Sequence, residues 1–182
     1  ITVFSRQFDF RQPLRAVPLD VLIAVSPPVS MSKTDRRVLP VRFQREFAAI
    51  KHVGTFALFQ QRRLAMQAGF DDALFVGPAD EVIEGSTWNI AFRRGDEVVW
   101  PQADCLPGTC QALLEAQLAA HSLPMARRPV TLAQLAEFDG AVACNASGVW
   151  PVAAVGGHTF AGSEAFSEEL KGLLAAIPWQ PL

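Results

Sequence analysis

The sequence has no tyrosine, three cysteines, and only three lysines against thirteen arginines. Cys105, Cys110 and Cys144 are odd in number and form no C-x-x-C pair. Neither a disulfide framework nor a zinc site is indicated, and a reducing, cytoplasmic setting is expected. Charge of either sign is scarce in excess: the formal net charge is −2. That balance leaves no electrostatic footprint for nucleic acid or an anionic membrane surface. Long apolar runs are missing too. The densest, Val21 to Val25, is strand-sized, whereas a membrane-spanning helix needs roughly 20 apolar residues, so no membrane partner is expected. Arg6 and Asp9 break the opening early, so no signal peptide is expected. The start at Ile1 rather than Met leads to the expectation of a truncated or processed piece. Without secretion signals, the glycosylation triplet Asn145-Ala146-Ser147 reads as chance.

What is present is a globular composition. Half of the 182 residues are hydrophobic and 19% are charged, which excludes a disordered, solvating chain. The 13 prolines and 12 glycines follow no period, which argues against helical bundles and collagen. The length suits one domain, or one domain plus a piece of another.

Residues 1–10 and 19–25 read as strands. Ser26-Pro27-Pro28 then stops regular structure, because proline cannot donate to a ladder. The polar stretch through Thr34 reads as a linker. The expected organisation is therefore residues 1–27, a linker at 28–37, and a larger domain at 38–182. Val38–Phe43 reads as a strand. Thr55–Ala68 carries a helical pattern with Phe56, Phe59, Arg63 and Met66 on one side and Gly69 placed to end it. Short strands follow at 73–76, 81–84 and 89–93. Gly95-Asp96 signals a hairpin into 97–100. A helix is expected from Gly108 to His121, and a short one through Phe138 capped by Thr131. Strands at 141–145 and 152–155 precede a last helix that opens at Ser163 or Ser167 and ends before Pro178. The fold class is mixed α/β, with many short strands and a few helices.

Four places could carry chemistry. Lys33 lies in the linker and Lys171 on the wet face of the last helix, but Lys51 is flanked by Phe47-Ala48-Ala49-Ile50 and Val53. Apolar surroundings destabilise an ammonium and favour the free amine that attacks a carbonyl to form a Schiff base. The alternative is a lysine whose stem covers apolar surface while its head reaches water. In Glu84-Gly85-Ser86-Thr87-Trp88-Asn89, glycine after an acid allows close backbone approach to a ligand, or marks an ordinary turn with a solvated glutamate. Leu106-Pro107-Gly108-Thr109-Cys110 opens a helix, which presents free N–H groups to an anion or phosphate, or is simply capped. Cys144-Asn145-Ala146-Ser147-Gly148-Val149-Trp150-Pro151-Val152 suits a loop closing on a ligand, or a strand-to-strand turn. Nucleophilic hydrolysis by a cysteine with His52, His121 or His158 has composition alone behind it.

The order and spacing of Lys51, Glu84-Gly85-Ser86, Leu106-Pro107-Gly108 and Cys144-Asn145 resemble the class IV family of pyridoxal-phosphate enzymes. That family includes branched-chain and D-amino-acid aminotransferases and 4-amino-4-deoxychorismate lyases. Ala68-Gly69-Phe70-Asp71-Asp72-Ala73-Leu74-Phe75-Val76 also looks like the family's helix-to-strand passage, so the likeness covers roughly residues 38–156. The resemblance implies a fold-type IV large domain, with only the last strands of the small N-terminal domain at residues 1–25. It implies pyridoxal 5'-phosphate bound through Lys51, the catalytic residue, with Glu84 on the ring nitrogen and Leu106 against the ring. Gly108, Thr109 and Cys110 would hold the phosphate, Asn145 would lie near it, and Thr87 would line the cofactor.

The implied reaction is amino transfer between an amino acid and a keto acid, in a homodimer. The alternative is 4-amino-4-deoxychorismate lyase chemistry, to which Lys51-His52-Val53 and the Cys144–Val152 run lean. Three departures motivate a further alternative, a non-catalytic relative. Cys110 stands where threonine is usual, which removes a hydroxyl donor. Phe56 occupies a position where many members have tyrosine. Trp88 replaces a small residue and is expected to reshape the phosphate side.

Overall fold

The computed structural model describes residues 1–27 and 36–178. Residues 28–35 of the expected linker, Lys33 among them, lie outside the described residues. Arg36 and Arg37, placed in the linker by sequence, belong to a strand. The chain divides into two compact units, Ile1–Ser30 and Met31–Leu182.

The first unit is a small hairpin. β1 (Thr2–Phe4) pairs antiparallel with β2 (Asp20–Leu22), Val3 opposite Val21. Both strands are shorter than the expected 1–10 and 19–25. Side chains capture the backbone in between: the Gln7 N–H donates to Ser5 Oγ at 3.2 Å, and the Arg11 N–H to Asp9 Oδ1 at 2.9 Å. Such local turns compete with a ladder.

The second unit is built on one sheet. Its elements are β3 (Arg36–Arg42), α1 (Phe56–Gln67), β4 (Asp72–Val76), β5 (Val82–Gly85), β6 (Asn89–Arg94), β7 (Glu97–Pro101), α2 (Thr109–Ala120), β8 (Met125–Arg128), β9 (Gly140–Asn145), β10 (Gly148–Val155), β11 (His158–Thr159) and α3 (Ser163–Ala175). The strand order is β5-β4-β3-β10-β9-β6-β7-β8, with β11 paired to β10. β3–β4 and β7–β8 are parallel pairs. Parallel neighbours need a crossover, which α1 and α2 supply. Antiparallel hairpins join β6 to β7 and β9 to β10.

The strands read as nearly continuous apolar runs because both faces of the sheet are covered. Alternation then decides which layer each residue enters. Ile90, Phe92, Val99, Ala143 and Trp150 enter one core with Val130, Leu135 and Phe138. Ala91, Trp100, Val142 and Cys144 enter the other, against Leu114 and Leu118 of α2 and Phe166 and Leu170 of α3. α1 covers Ala73, Phe75 and Ile83 with Leu58 and Ala65. The side of α1 carrying Phe56, Phe59 and Met66 is turned to solvent; Phe56 is 81% exposed.

Gly69 ends the α1 segment at φ +86° and Gly95 turns the β6–β7 hairpin at φ +58°, both left-handed conformations that glycine adopts without strain. α3 opens at Ser163, whose hydroxyl donates to the Val152 carbonyl at 2.7 Å and accepts the Ala141 N–H at 3.0 Å. The short helix after Thr131 is 3-10 in type, Leu132–Glu137, with Gln134 Oε1 accepting the Thr131 N–H at 3.0 Å.

Two strands, β8 and β11, were not expected; Met-Ala-Arg-Arg has no apolar alternation to announce it. β10 begins at Gly148, before the expected Val152. Pro151 reads as a break, but it sits where β10 stops pairing with β9 and begins pairing with β3 at Val152. A missing N–H costs little at such a change of partner.

Candidate functional site

The expected site residues other than Lys51 gather at the adjoining ends of β5, β6, β9 and α2. Glu84 lies on β5 and is 4% exposed. Its Oε2 accepts the Leu106 N–H at 3.1 Å, while Oε1 makes no hydrogen bond and stands 3.9 Å from the Arg45 guanidinium. Burial pushes the Glu84 carboxyl above its ordinary pKa. The Leu106 N–H, Arg45 and Lys51 pull it back, and Asp104 adds to the rise. A buried carboxylate with one unpartnered oxygen is costly unless a donor arrives.

Asn89, which sequence reasoning left without a role, joins the pieces. It opens β6, is 6% exposed, and its Nδ2 donates to the Leu106 carbonyl at 2.8 Å. A Cβ on Gly108, the residue before α2, would fall 2.0 Å from Asn89 Oδ1. Glycine at 108 is therefore demanded by packing. Its φ of −71° is open to any residue. Asn89 also lies opposite Cys144 in the β6–β9 register, one residue from Asn145. Asn145 Nδ2 donates to the Thr87 carbonyl at 3.2 Å and its Oδ1 accepts the Ser147 N–H at 2.8 Å. A cavity of about 510 Å³ is lined by Thr109, Cys110, Leu113, Asn145, Ala146 and Leu174 among others. The first N–H groups of α2 have no partner inside the helix and lie beside this cavity. Thr87 and Thr109 are exposed, Leu106 is half-buried and Cys110 is buried.

Lys51 sits in the loop between β3 and α1 and is exposed. Among the described residues its flanks do not supply the expected apolar cover, because Phe47, Ile50 and Val53 are themselves 76, 59 and 87% exposed. The loop passes through a left-handed Phe47, φ +50°. Lys51 nonetheless acts electrostatically on Glu84. Arg45, also missed, links the two places: its Nη2 donates to the Ile50 carbonyl at 2.6 Å, and its Nη1 faces Glu84.

Two expectations change. Gly85 makes room for a side chain rather than for a ligand: a Cβ there would lie 1.9 Å from the Trp88 ring. Trp88 does not line the cavity. It is 3% exposed, donates from Nε1 to Asp72 at 3.1 Å and meets Trp150 edge-on in the core.

The architecture is the mixed α/β large-domain fold of fold-type IV aminotransferases. The sequence model for class IV aminotransferases matches residues 2–155, and the chain belongs to that family. A relative named "Probable branched-chain-amino-acid aminotransferase" from Synechocystis sp. is 25% identical over 116 residues, 62% of this chain and 38% of the relative. Solved structures share the fold, two of them as follows. A candidate 4-amino-4-deoxychorismate lyase from Legionella pneumophila has a TM-score of 0.74 at 21% identity, over 81% of this chain and 57% of that one. A fold IV transaminase from Curtobacterium pusillum has a TM-score of 0.71 at 20% identity, over 88% and 58%. The chain thus spans little more than half of these structures and less of the Synechocystis relative. No described helix is long and apolar enough to cross a membrane.

Proposed function

We propose that this chain holds pyridoxal 5'-phosphate and serves an enzyme that moves an amino group between an amino acid and a keto acid. One observation carries the reading: Glu84 presents a buried carboxylate oxygen without a hydrogen-bond partner, within electrostatic reach of a lysine. The residues present fit the cofactor. Glu84 Oε1 would accept from its ring nitrogen, Lys51 Nζ would bind its aldehyde carbon, and Leu106 would face the ring. The amides of Gly108, Thr109 and Cys110 would hold the phosphate, with Asn145 and Thr87 beside it. When bound, the cofactor supplies an electron sink that makes an amino acid's Cα–H acidic.

The chain's own groups do the rest. Glu84 would hold a proton on the ring nitrogen by its negative charge, and Arg45 together with the Leu106 N–H favours that charge against burial. Lys51 Nζ would be the group that holds and moves the substrate's Cα proton. Asn89 fixes Leu106 and so orients Glu84.

Phe56 favours a second reading. It lies five residues after Lys51, where many members have a tyrosine, and no tyrosine replaces it. A site without that phenol also suits release of 4-aminobenzoate and pyruvate from 4-amino-4-deoxychorismate.

The proposal extends to organisation and setting. Residues 1–27 would be the last strands of a smaller domain and 38–182 the cofactor-binding domain. The exposed row Phe47, Ile50, Val53 and Phe56 supports burial against a second copy, in a homodimer. Three free cysteines support a reducing cytoplasm.

The test is a titration of the purified protein with pyridoxal phosphate, followed in the visible spectrum, then assays for keto-acid-dependent amino transfer and for 4-aminobenzoate release. Yellow colour with amino transfer supports the main reading, and 4-aminobenzoate release moves the assignment to the lyase. No cofactor-dependent spectrum would overturn both and leave a non-catalytic relative.

A further inference from the structure

The loop that carries Lys51 runs between β3 and α1 and takes little order from burial. Ala48 is buried, but Phe47, Ile50 and Val53 are exposed. Side chains on either side of the lysine hold the turn instead. Before it, Arg45, whose side chain is 11% exposed, donates from Nη2 to the Ile50 carbonyl at 2.6 Å. The Ile50 N–H in turn donates to the Phe47 carbonyl at 2.8 Å. After it, the half-buried His52 closes a second ring: its Nδ1 accepts the Gly54 N–H at 3.1 Å, and its Nε2 stands 3.4 Å from the Glu46 carbonyl. A backbone N–H donates only to a ring nitrogen that carries no proton. The neutral imidazole therefore has its proton on Nε2 and donates it to Glu46. Residues 50 and 52 are thus both tied, and the ties lead back to neighbouring residues, 45 and 46.

We propose that Arg45 and His52 are positioning residues that preset the backbone on both sides of Lys51 and so aim its amine; the proposal rests on the reading of Lys51 as the cofactor lysine. An exposed lysine on an untied loop samples many directions, and attack on an aldehyde is productive from few of them. Tying positions 50 and 52 removes backbone choices before the aldehyde arrives. The two ties differ in reach. Both His52 contacts lie within the loop. Arg45 also presents Nη1 to Glu84 Oε1 at 3.9 Å, so it sets the loop relative to the acid meant for the ring nitrogen.

The experiment uses the full chain, first without cofactor. Amide hydrogen exchange followed by NMR should show Gly54 protected in the unmutated protein, unprotected in His52→Ala, and protected again in His52→Asn, whose Oδ1 can accept the same N–H. A Gly54 amide that exchanges freely in the unmutated protein would overturn the proposal whatever the cofactor does. The same proteins are then incubated with pyridoxal phosphate, quenched with borohydride at short times and mapped by peptides. His52→Ala and Arg45→Met should label Lys51 roughly tenfold more slowly, with the trace labelling of Lys171 on α3 unchanged, and His52→Asn should regain most of the rate. Equal labelling of Lys51 in every variant, or a matching fall at Lys171, would overturn the proposal and leave Lys51 as the cofactor lysine. No labelling of Lys51 in the unmutated protein, with Gly54 still protected, would remove the cofactor reading and this proposal with it. The two His52 variants decide the matter even if Arg45→Met fails to fold.

Discussion

Gly108→Ala tests how the site is wired. The backbone at 108 has φ −71° and ψ 141°, which alanine adopts freely, so the added methyl meets a packing obstacle and no backbone strain. That obstacle is Asn89 Oδ1, 2.0 Å from the new Cβ. Asn89 must swing away and give up its 2.8 Å bond to the Leu106 carbonyl. Overpacking of this kind costs about 1–3 kcal/mol and the lost hydrogen bond about 0.5–1.5 kcal/mol. A stiffer unfolded chain offsets about 0.4–1 kcal/mol. The net expectation is a destabilisation of about 1–3 kcal/mol, read by urea unfolding. Asn89→Ala empties the same space, so the second substitution should then be neutral or slightly stabilising. Because Leu106 holds Glu84, Gly108→Ala alone should also weaken pyridoxal-phosphate binding. An equal cost of Gly108→Ala in both backgrounds would refute the wiring, since the methyl would then be meeting something other than Asn89.

Glu84 binds its proton more tightly folded than unfolded, because burial raises its pKa. Its contribution is therefore full below the unfolded value near 4.5 and is lost as pH rises through the folded value. Unfolding of the cofactor-free protein across that range should show stability falling with pH, and Glu84→Gln should flatten the slope; an unchanged slope would remove Glu84 as its source. Phe92→Ala should cost about 3–5 kcal/mol in the same denaturation assay, because Phe92 is fully buried between Phe138 and Phe160. Ser163→Ala should cost about 1–3 kcal/mol, since it strands the Ala141 N–H and the Val152 carbonyl inside the core; a neutral result would mean that water replaces the hydroxyl.

The elements with strong local signals were legible in the sequence: α1 before Gly69, the Gly95-Asp96 hairpin, α2 opening just after Gly108, and α3, whose start the sequence left between Ser163 and Ser167. Those without one were not. β8 is a short polar strand docked by parallel pairing to β7, and nothing local announces it. The ends of β1 were misread because Ser5 and Asp9 capture the backbone, a preference that alternation does not record. At the site, Glu84, Leu106, Gly108 and Asn145 stood out by residue type and order. Asn89 and Arg45 did not, because their roles are relational: one fills the space that Gly108 leaves empty, and the other spans from the Lys51 loop to Glu84. The apolar flanks of Lys51 predicted burial from composition, and composition carries no direction.

The central claim is that Lys51 carries the cofactor. The direct measurement is borohydride reduction of the protein incubated with pyridoxal phosphate, followed by peptide mapping of the fixed adduct. A stoichiometric phosphopyridoxyl group on Lys51, absent in Lys51→Ala, is the predicted result. An adduct on Lys33 or Lys171, or one that persists in Lys51→Ala, would contradict the account.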